Sequence, residues 1–484
     1  MVDEIKKDDD FDIDFSKIID FFKKGFQQIK NLSSPQTTDH RPQILDDDFS
    51  FDFSKIVSFI KNNSTLCILL LVLLLQFLPN YGFLPWGGVW MRMQTQDLSR
   101  FDELAANSVS NQLVSQISSQ VNQKYPNLPS EQKQKIIDEF YKNAVREKKS
   151  EMDAVTQSVA NEAKDFYRYE FEGVKYTYMP DIDPYTFLRR AKNLVEKGQL
   201  GDEVKNGKQW DNHMQAPLGN QVEESIHPYV LFVIHKVFSF FNSKIPLMQS
   251  VTYFPILFTI LSLFPAFFLG RKLAGNLGGF FSATFVAVHP SFLGRTQWGH
   301  ADTDAYNVFF PLTIAWLFIE CVSSKEIKTK ILAGFFAGFA TGVYSYIWSW
   351  WYLFDFFLAA IFIHLVYLAV KNVLTSKDKK FNVHNLLTQD VKNTLYSFAI
   401  IVLFTGVFVT FFSDFNAFIS GPLGPLGFQT IRDASLTNLW PNVYTTVAEL
   451  NPLSVKDAIN QINQYVFLIS LAGLVLLFFA RKEE

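Results

Sequence analysis

Two cysteines, Cys67 and Cys321, are all that 484 residues contain, and both sit inside apolar runs far apart in the chain. Neither a disulfide framework nor a thiolate metal site is expected from them. Charge is scarce as well: acidic and basic residues make up 19% of the chain and nearly cancel, to a net −3, a balance that says nothing about partners; no nucleic-acid partner is expected. The acidic N-terminal stretch, far from the first apolar run, is not read as a signal peptide. What the chain has is hydrophobicity. Apolar residues reach 48%, with 51 Phe, gathered into long runs between polar stretches in the pattern of a polytopic membrane protein. A cation bound by such a chain would be held by oxygen and imidazole.

Apolar runs occupy residues 65–84, 229–241, 251–270, 277–293, 305–322, 331–348, 350–370, 394–412 and 465–480. The run at 229–241 is short and interrupted by His235 and Lys236, and is assigned to the membrane interface. Eight spans remain. Every basic loop then falls on the cytoplasmic side: Arg271 and Lys272; Lys325, Lys328 and Lys330; Lys371, Lys377, Lys379 and Lys380; Arg481 and Lys482. Both termini are expected in the cytoplasm. Residues 1–64 form an acidic tail in which D-D-D-F-D-I-D-F-S-K-I-I-D-F-F-K, from Asp8, recurs as D-D-D-F-S-F-D-F-S-K-I-V-S-F-I-K, from Asp46. Each copy reads either as a weakly ordered tail or as a short amphipathic helix on a membrane or partner. A first span (65–84) is followed by a large outer loop (85–250). Its centre, 97–165, has helical periodicity broken by P-N-L-P at Pro126. A transmembrane core (251–412), a second outer loop (413–464) and a last span with a cytoplasmic end (465–484) complete the division. The expected fold is an all-α polytopic bundle with a large helical first outer loop.

This topology places three acidic signatures on one side, the non-cytoplasmic one: D-I-D-P-Y (181–185), G-H-A-D-T-D (299–304) and T-V-A-E (Thr446, Val447, Ala448, Glu449). Carboxylates gathered at a membrane boundary repel one another, and a charge at bilayer depth costs about 2.5–3.5 kcal/mol on insertion scales. A shared hard cation, Mn²⁺ or Mg²⁺, would remove that cost with carboxylate ligands. Each motif also has a structural reading. Asp181 and Asp183 stand before Pro184, where Asp starts turns and helices, and Asp302 or Asp304 can cap the helix that follows. Arg295 is the lone basic residue of its loop and serves either as a headgroup anchor or as a bidentate phosphate ligand.

In order, spacing and setting these motifs resemble the catalytic subunit of oligosaccharyltransferases, which glycosylate Asn in secreted proteins. The resemblance runs from about residue 66 to the end. Its strongest stretch runs from S-V-T-Y-F-P-I-L to G-R-T-Q-W-G-H-A-D-T-D-A-Y-N-V-F-F-P-L. It implies Asp183, Asp302, Asp304 and Glu449 at the metal, with Asp183 and Glu449 also bonding the acceptor amide. Arg295 and His213 would neutralise the lipid phosphate. It further implies a lipid-linked oligosaccharide donor on a polyprenyl (dolichyl) phosphate or pyrophosphate, a polypeptide acceptor carrying N-X-S/T, inversion at C1, and an archaeal source.

The chain departs from the family where it ends, at R-K-E-E, soon after the span that follows T-V-A-E. The family continues into a soluble domain whose W-W-D-Y-G motif binds the Ser or Thr of the sequon. Here W-S-W-W-Y-L-F-D (348–355) lies in an apolar run and lacks D-Y-G. A second phosphate-binding Arg is likewise absent, as are two spans expected between residues 370 and 393. A fragment, a split enzyme completed by a second chain, and a degenerate paralogue all fit. Two other classes stay open: a polyprenyl-phosphate sugar transferase acting on a glycan or lipid, and an ion-coupled transporter, which would carry its acids within the spans rather than at their ends.

Overall fold

The computed structural model describes residues 63–80, 86–223, 225–375, 388–424 and 454–480. The N-terminal repeat and the T-V-A-E motif lie outside these residues, as does most of the second outer loop. Two compact units divide the described chain: residues 93–180 form one, and residues 63–92 with 181–480 form the other. The larger unit opens with helix α1 (Ser64–Phe77), an unbroken apolar stretch, followed by the short α2 (Gly88–Met93). The Gly88 N–H donates to Gln76 Oε1 at 3.1 Å and joins the two.

The smaller unit contains three helices, α3 (Arg100–Lys124), α4 (Ser130–Glu147) and α5 (Lys149–Phe166). On α3 the residues Ala105, Val109, Leu113, Ile117 and Val121 recur every fourth position and bury one stripe. They pack on Ile136, Ile137 and Ala144 of α4 and on Val155, Val159 and Ala160 of α5. Full burial of one such aliphatic side chain stabilises by roughly 1.5–3 kcal/mol, enough for this stripe to set the packing. Pro126 and Pro129 fall between α3 and α4, where the ring and the missing N–H stop a helix. Lys164 pairs with Asp102 at 2.7 Å and ties the end of α5 to the start of α3. A hairpin of β1 (Arg168–Phe171) and β2 (Val174–Thr177) follows.

In the larger unit, α6 (Asp183–Lys197) leads into an antiparallel sheet of β3 (Glu203–Lys205), β4 (Lys208–Asp211) and β5 (Asn220–Gln221). These two small sheets are a departure from the all-helical expectation. Asn206 (φ 52°) and Gly207 (φ 77°) make the turn between β3 and β4, a conformation that Asn-Gly accepts readily. Then come α7 (His227–Phe241), α8 (Leu247–Val251) and α9 (Phe254–Val288). Helix α9 is interrupted at Ala274 and Gly275, where Gly275 takes φ 67°. The chain doubles back there: a Cβ on Gly279 would stand 2.8 Å from the Phe267 carbonyl oxygen. The two expected spans at 251–270 and 277–293 are the arms of this hairpin, with Arg271 and Lys272 near its turn. α10 (Pro290–Arg295) and a 3₁₀ turn (Thr303–Ala305) lead into α11 (Tyr306–Ser323), α12 (Ile327–Ser345), α13 (Trp351–Thr375) and α14 (Gln389–Phe412). The short α15 (Phe415–Ser420), then α16 (Val455–Ile462) and α17 (Gln464–Ala480), complete the described chain.

Leu69 and Val72 of α1 pack on Leu263, Ala266, Phe267, Ala283 and Ala287 of α9. Gly334, Gly338 and Gly342 line α12 against α14, so that a Cβ on Gly338 would lie 2.6 Å from Phe404. Small residues at this spacing let two helix backbones approach closely, as in membrane bundles. Lys330 is buried and donates to the Cys321 carbonyl at 3.0 Å and to Ser397 Oγ at 2.7 Å, which ties α11, α12 and α14 together. Among the described residues, four helices are long and apolar enough to cross a membrane, or five if α16 and α17, bent by 91°, count as one span. Eight were expected. The α9 hairpin counts as one of the four, α1 has only 14 residues, and α12 carries Lys328 and Lys330 in its first turn.

Candidate functional site

The first acidic segment opens a helix. Asp183 is the first residue of α6, exposed, with Pro184 directly after it. The fixed φ of Pro suits the first helical turn, and a carboxylate there complements the helix dipole. Asp181 Oδ1 accepts from the Ile182 N–H at 2.7 Å. The second segment also opens a helix. Asp302 caps the 3₁₀ turn, its Oδ1 accepting from the Thr303 N–H at 2.6 Å. Asp304 is not part of that cap. Its carboxylate lies 3.5 Å from the Arg295 guanidinium, which is largely exposed. Sequence reasoning put Arg295 with the acids, and the structure brings it to Asp304.

Both segments meet a residue that sequence reasoning missed. His227, the first residue of α7, is wholly buried. Its Nε2 lies 3.0 Å from the Ala301 carbonyl and its Nδ1 lies 3.0 Å from the Tyr306 hydroxyl. Its ring stands edge-on to Phe187 of α6, Phe254 of α9 and Tyr306 of α11. Phe187 is one helical turn beyond Asp183, while Ala301 and Tyr306 bracket Asp302 and Asp304. Burial holds the imidazole pKa down to about 4, against the bond to Ala301 and the nearby Asp302 charge, which pull it up. The ring is therefore neutral at physiological pH.

The approach to Asp302 is fixed by a second buried group, Arg92 of α2. Its Nε donates to Thr296 Oγ1 at 2.7 Å, and its Nη1 donates to the Gly88 and Ala287 carbonyls at 2.8 and 2.5 Å. Its own carbonyl accepts from the Trp298 N–H at 3.1 Å, and its guanidinium lies over the Phe292 ring. The only sequence sign of either group is a polar residue set against apolar neighbours, in W-M-R-M and in I-H-P-Y-V-L-F.

His213 lies in a different cluster. Asp202, Asp211 and His213 place one ligand atom each within 4.8 Å of one another, the one such group of three among the described residues. Asp183, Asp302 and Asp304 do not form such a group there. Arg189 already supplies the positive charge of the His213 cluster. It bonds Asp202 at 3.0 Å and also bonds Asp211. Asp202 further accepts from Asn193, the Asn212 N–H and His213, while Asp211 accepts from the His213 and Met214 N–H groups. Burial alone would raise both carboxyl pKa values, but these hydrogen bonds and the Arg189 charge hold them below the ordinary range. The occupied lone pairs make this cluster a latch between α6 and the β3–β5 sheet.

A family profile described as "Oligosaccharyl transferase STT3, N-terminal" matches residues 154–482. A dolichyl-phosphooligosaccharide-protein glycotransferase of Methanococcus voltae is 27% identical over 320 residues, covering 63% of this chain and 35% of the relative. One from Methanocaldococcus jannaschii is 23% identical over 388 residues, covering 63% and 41%. The archaeal oligosaccharyltransferase AglB from Archaeoglobus fulgidus, solved with an inhibitory peptide and a dolichol-phosphate, matches at TM-score 0.36 and 16% identity, covering 63% of this chain and 35% of that one. The chain thus spans about a third to two fifths of the length of these relatives. Because the family profile takes in well over half of the 484 residues, the chain belongs to the STT3 family of oligosaccharyl transferases.

Proposed function

We propose that this chain is the donor-binding, metal-holding part of an oligosaccharyltransferase. Set in a membrane by its apolar helices, it would transfer a glycan from a dolichyl phosphate or pyrophosphate to the Asn of N-X-S/T sequons, on the non-cytoplasmic side. The observation that carries this reading is the common anchorage of the two acidic segments on His227, within a chain of this family.

The donor set fits a hard divalent cation. Asp302 and Asp304 are half-buried carboxylates on one short turn, and Asp304 already faces a cationic group, so the turn tolerates positive charge beside it. Asp183, Asp302, Asp304 and Glu449 would hold Mn²⁺ or Mg²⁺, which would supply the charge that lets the carboxylates converge. The rest falls to the chain. An amide nitrogen is a poor nucleophile because its lone pair is delocalised into the carbonyl. Asp183 and Glu449 would accept from its N–H groups and weaken that delocalisation. As the nitrogen bonds to C1, the C1–O bond to phosphate breaks, the bonding pair leaves with the phosphate oxygen, and the nitrogen passes one proton to one of the carboxylates that accept from it. Arg295, exposed beside Asp304, would bind the departing phosphate. The place of His213 in the Arg189 latch favours a structural role for it over phosphate binding.

The test is glycopeptide formation by membranes containing the full chain, with lipid-linked oligosaccharide, Mn²⁺ and an N-X-T peptide. Metal-dependent product that disappears in Asp302→Ala and Glu449→Ala supports the transferase. Donor binding without product points to a half-enzyme completed by a second chain. Loss of both product and donor binding in the unaltered chain overturns the proposal.

A further inference from the structure

The Ala301 carbonyl that meets His227 Nε2 belongs to the same planar peptide unit as the Asp302 N–H. A carbonyl only accepts, so Nε2 carries the ring proton, and the neutral ring's Nδ1 accepts from the Tyr306 hydroxyl. The imidazole thus fixes the peptide plane entering Asp302 and, through Tyr306, the first residue of the helix that leaves Asp304. Its edge contact with Phe187 places the same ring against α6, one turn from Asp183.

We propose that His227 is a positioning residue for the metal-binding carboxylates, using its two hydrogen bonds to hold the 301–306 turn in place relative to the head of α6. This rests on the proposed assignment of Asp302 and Asp304 to a divalent cation. Packing alone would not serve. Three ring contacts allow the turn to pivot, whereas two bonds on opposite sides of one buried ring fix both its ends.

The test is a Mn²⁺ titration of the purified full chain followed by electron paramagnetic resonance, with Asp302→Ala defining the signal that belongs to this site. His227→Phe keeps an aromatic ring but loses both bonds. It is expected to need about ten-fold more Mn²⁺, the low end of what loss of an outer-shell partner does to a metal site. His227→Gln retains a donor for the Ala301 carbonyl and is expected to restore affinity to within about three-fold of the unaltered chain. Unchanged affinity in His227→Phe overturns the proposal. If that variant does not fold, Tyr306→Phe carries the test. It removes only the hydroxyl, so a fall in Mn²⁺ affinity supports the positioning role and unchanged affinity overturns it. Should the unaltered chain show no signal that Asp302→Ala removes, the metal assignment itself falls, and the positioning role with it.

Discussion

Acid should loosen this protein through His227, by an amount that follows from its burial. The folded ring has a pKa of about 4, whereas the unfolded ring titrates near the ordinary 6.5. Between those values the unfolded chain takes up a proton that the folded chain refuses. The stability contributed by the neutral ring is therefore full above about pH 6.5 and is lost as the pH falls toward about 4. Proton linkage gives a loss of about 2 kcal/mol at pH 5 and about 3 kcal/mol at pH 4. Acidification acts on the whole chain, so the measurement must be a difference. Denaturant unfolding of the detergent-solubilised chain at pH 7 and pH 5 would be compared with that of His227→Gln, which has no ring to protonate. The variant should begin less stable at pH 7 but lose about 2 kcal/mol less on acidification. Equal acid losses in the two proteins would refute the reasoning, since they would mean that the ring is hydrated or already charged.

Gly338→Ala should destabilise the protein by about 1–3 kcal/mol by forcing α12 from α14. An unhindered helix glycine would instead gain about 1 kcal/mol from the same change, so the sign of the shift in a thermal melt decides. Lys330→Ala should cost about 2–3 kcal/mol in the same melt by leaving the Cys321 carbonyl and Ser397 hydroxyl without their buried cationic donor; a neutral result would mean that water reaches this end of the bundle. Arg189→Ala should remove the cation that bonds both Asp202 and Asp211, leaving Arg190, 3.9 Å from Asp211, as the remaining counter-charge, a loss of about 1–3 kcal/mol. The β3–β5 sheet would then exchange its amide hydrogens faster, and unchanged protection there would exclude the latch.

The parts of this molecule that were legible in its sequence are those encoded locally. Apolar runs became helices, P-N-L-P separated α3 from α4, and D-P and D-T-D fell at helix beginnings because Pro and Asp act on their immediate neighbours. The β3–β4 turn was also encoded locally, in Asn206-Gly207, yet the strands on either side of it were not expected. The setting of His213 was not legible either: its partner Asp202, and Arg189 which pairs with Asp202, are 11 and 24 residues away. His227 and Arg92 were illegible. Apart from Gly88, their hydrogen-bond partners lie 74 to 204 residues away, and a single polar residue among apolar ones does not say which distant carbonyl it will meet.

The stretch from Arg295 to Tyr306 is held at both ends by groups that the proposed chemistry does not use. Arg92 fixes Thr296 and Trp298, while His227 fixes Ala301 and Tyr306. Buried polar groups are costly unless paired, and both of these spend their hydrogen bonds largely on backbone carbonyls and hydroxyls rather than on acids. Asp302 gives one oxygen to a one-residue cap, and Asp304 meets a flexible, largely exposed arginine. A surface pair of that kind contributes about 0–1 kcal/mol, little enough for a stronger ligand to displace. Under the proposed assignment of these carboxylates, a turn whose shape is set from beneath would meet an incoming cation without rearranging its backbone.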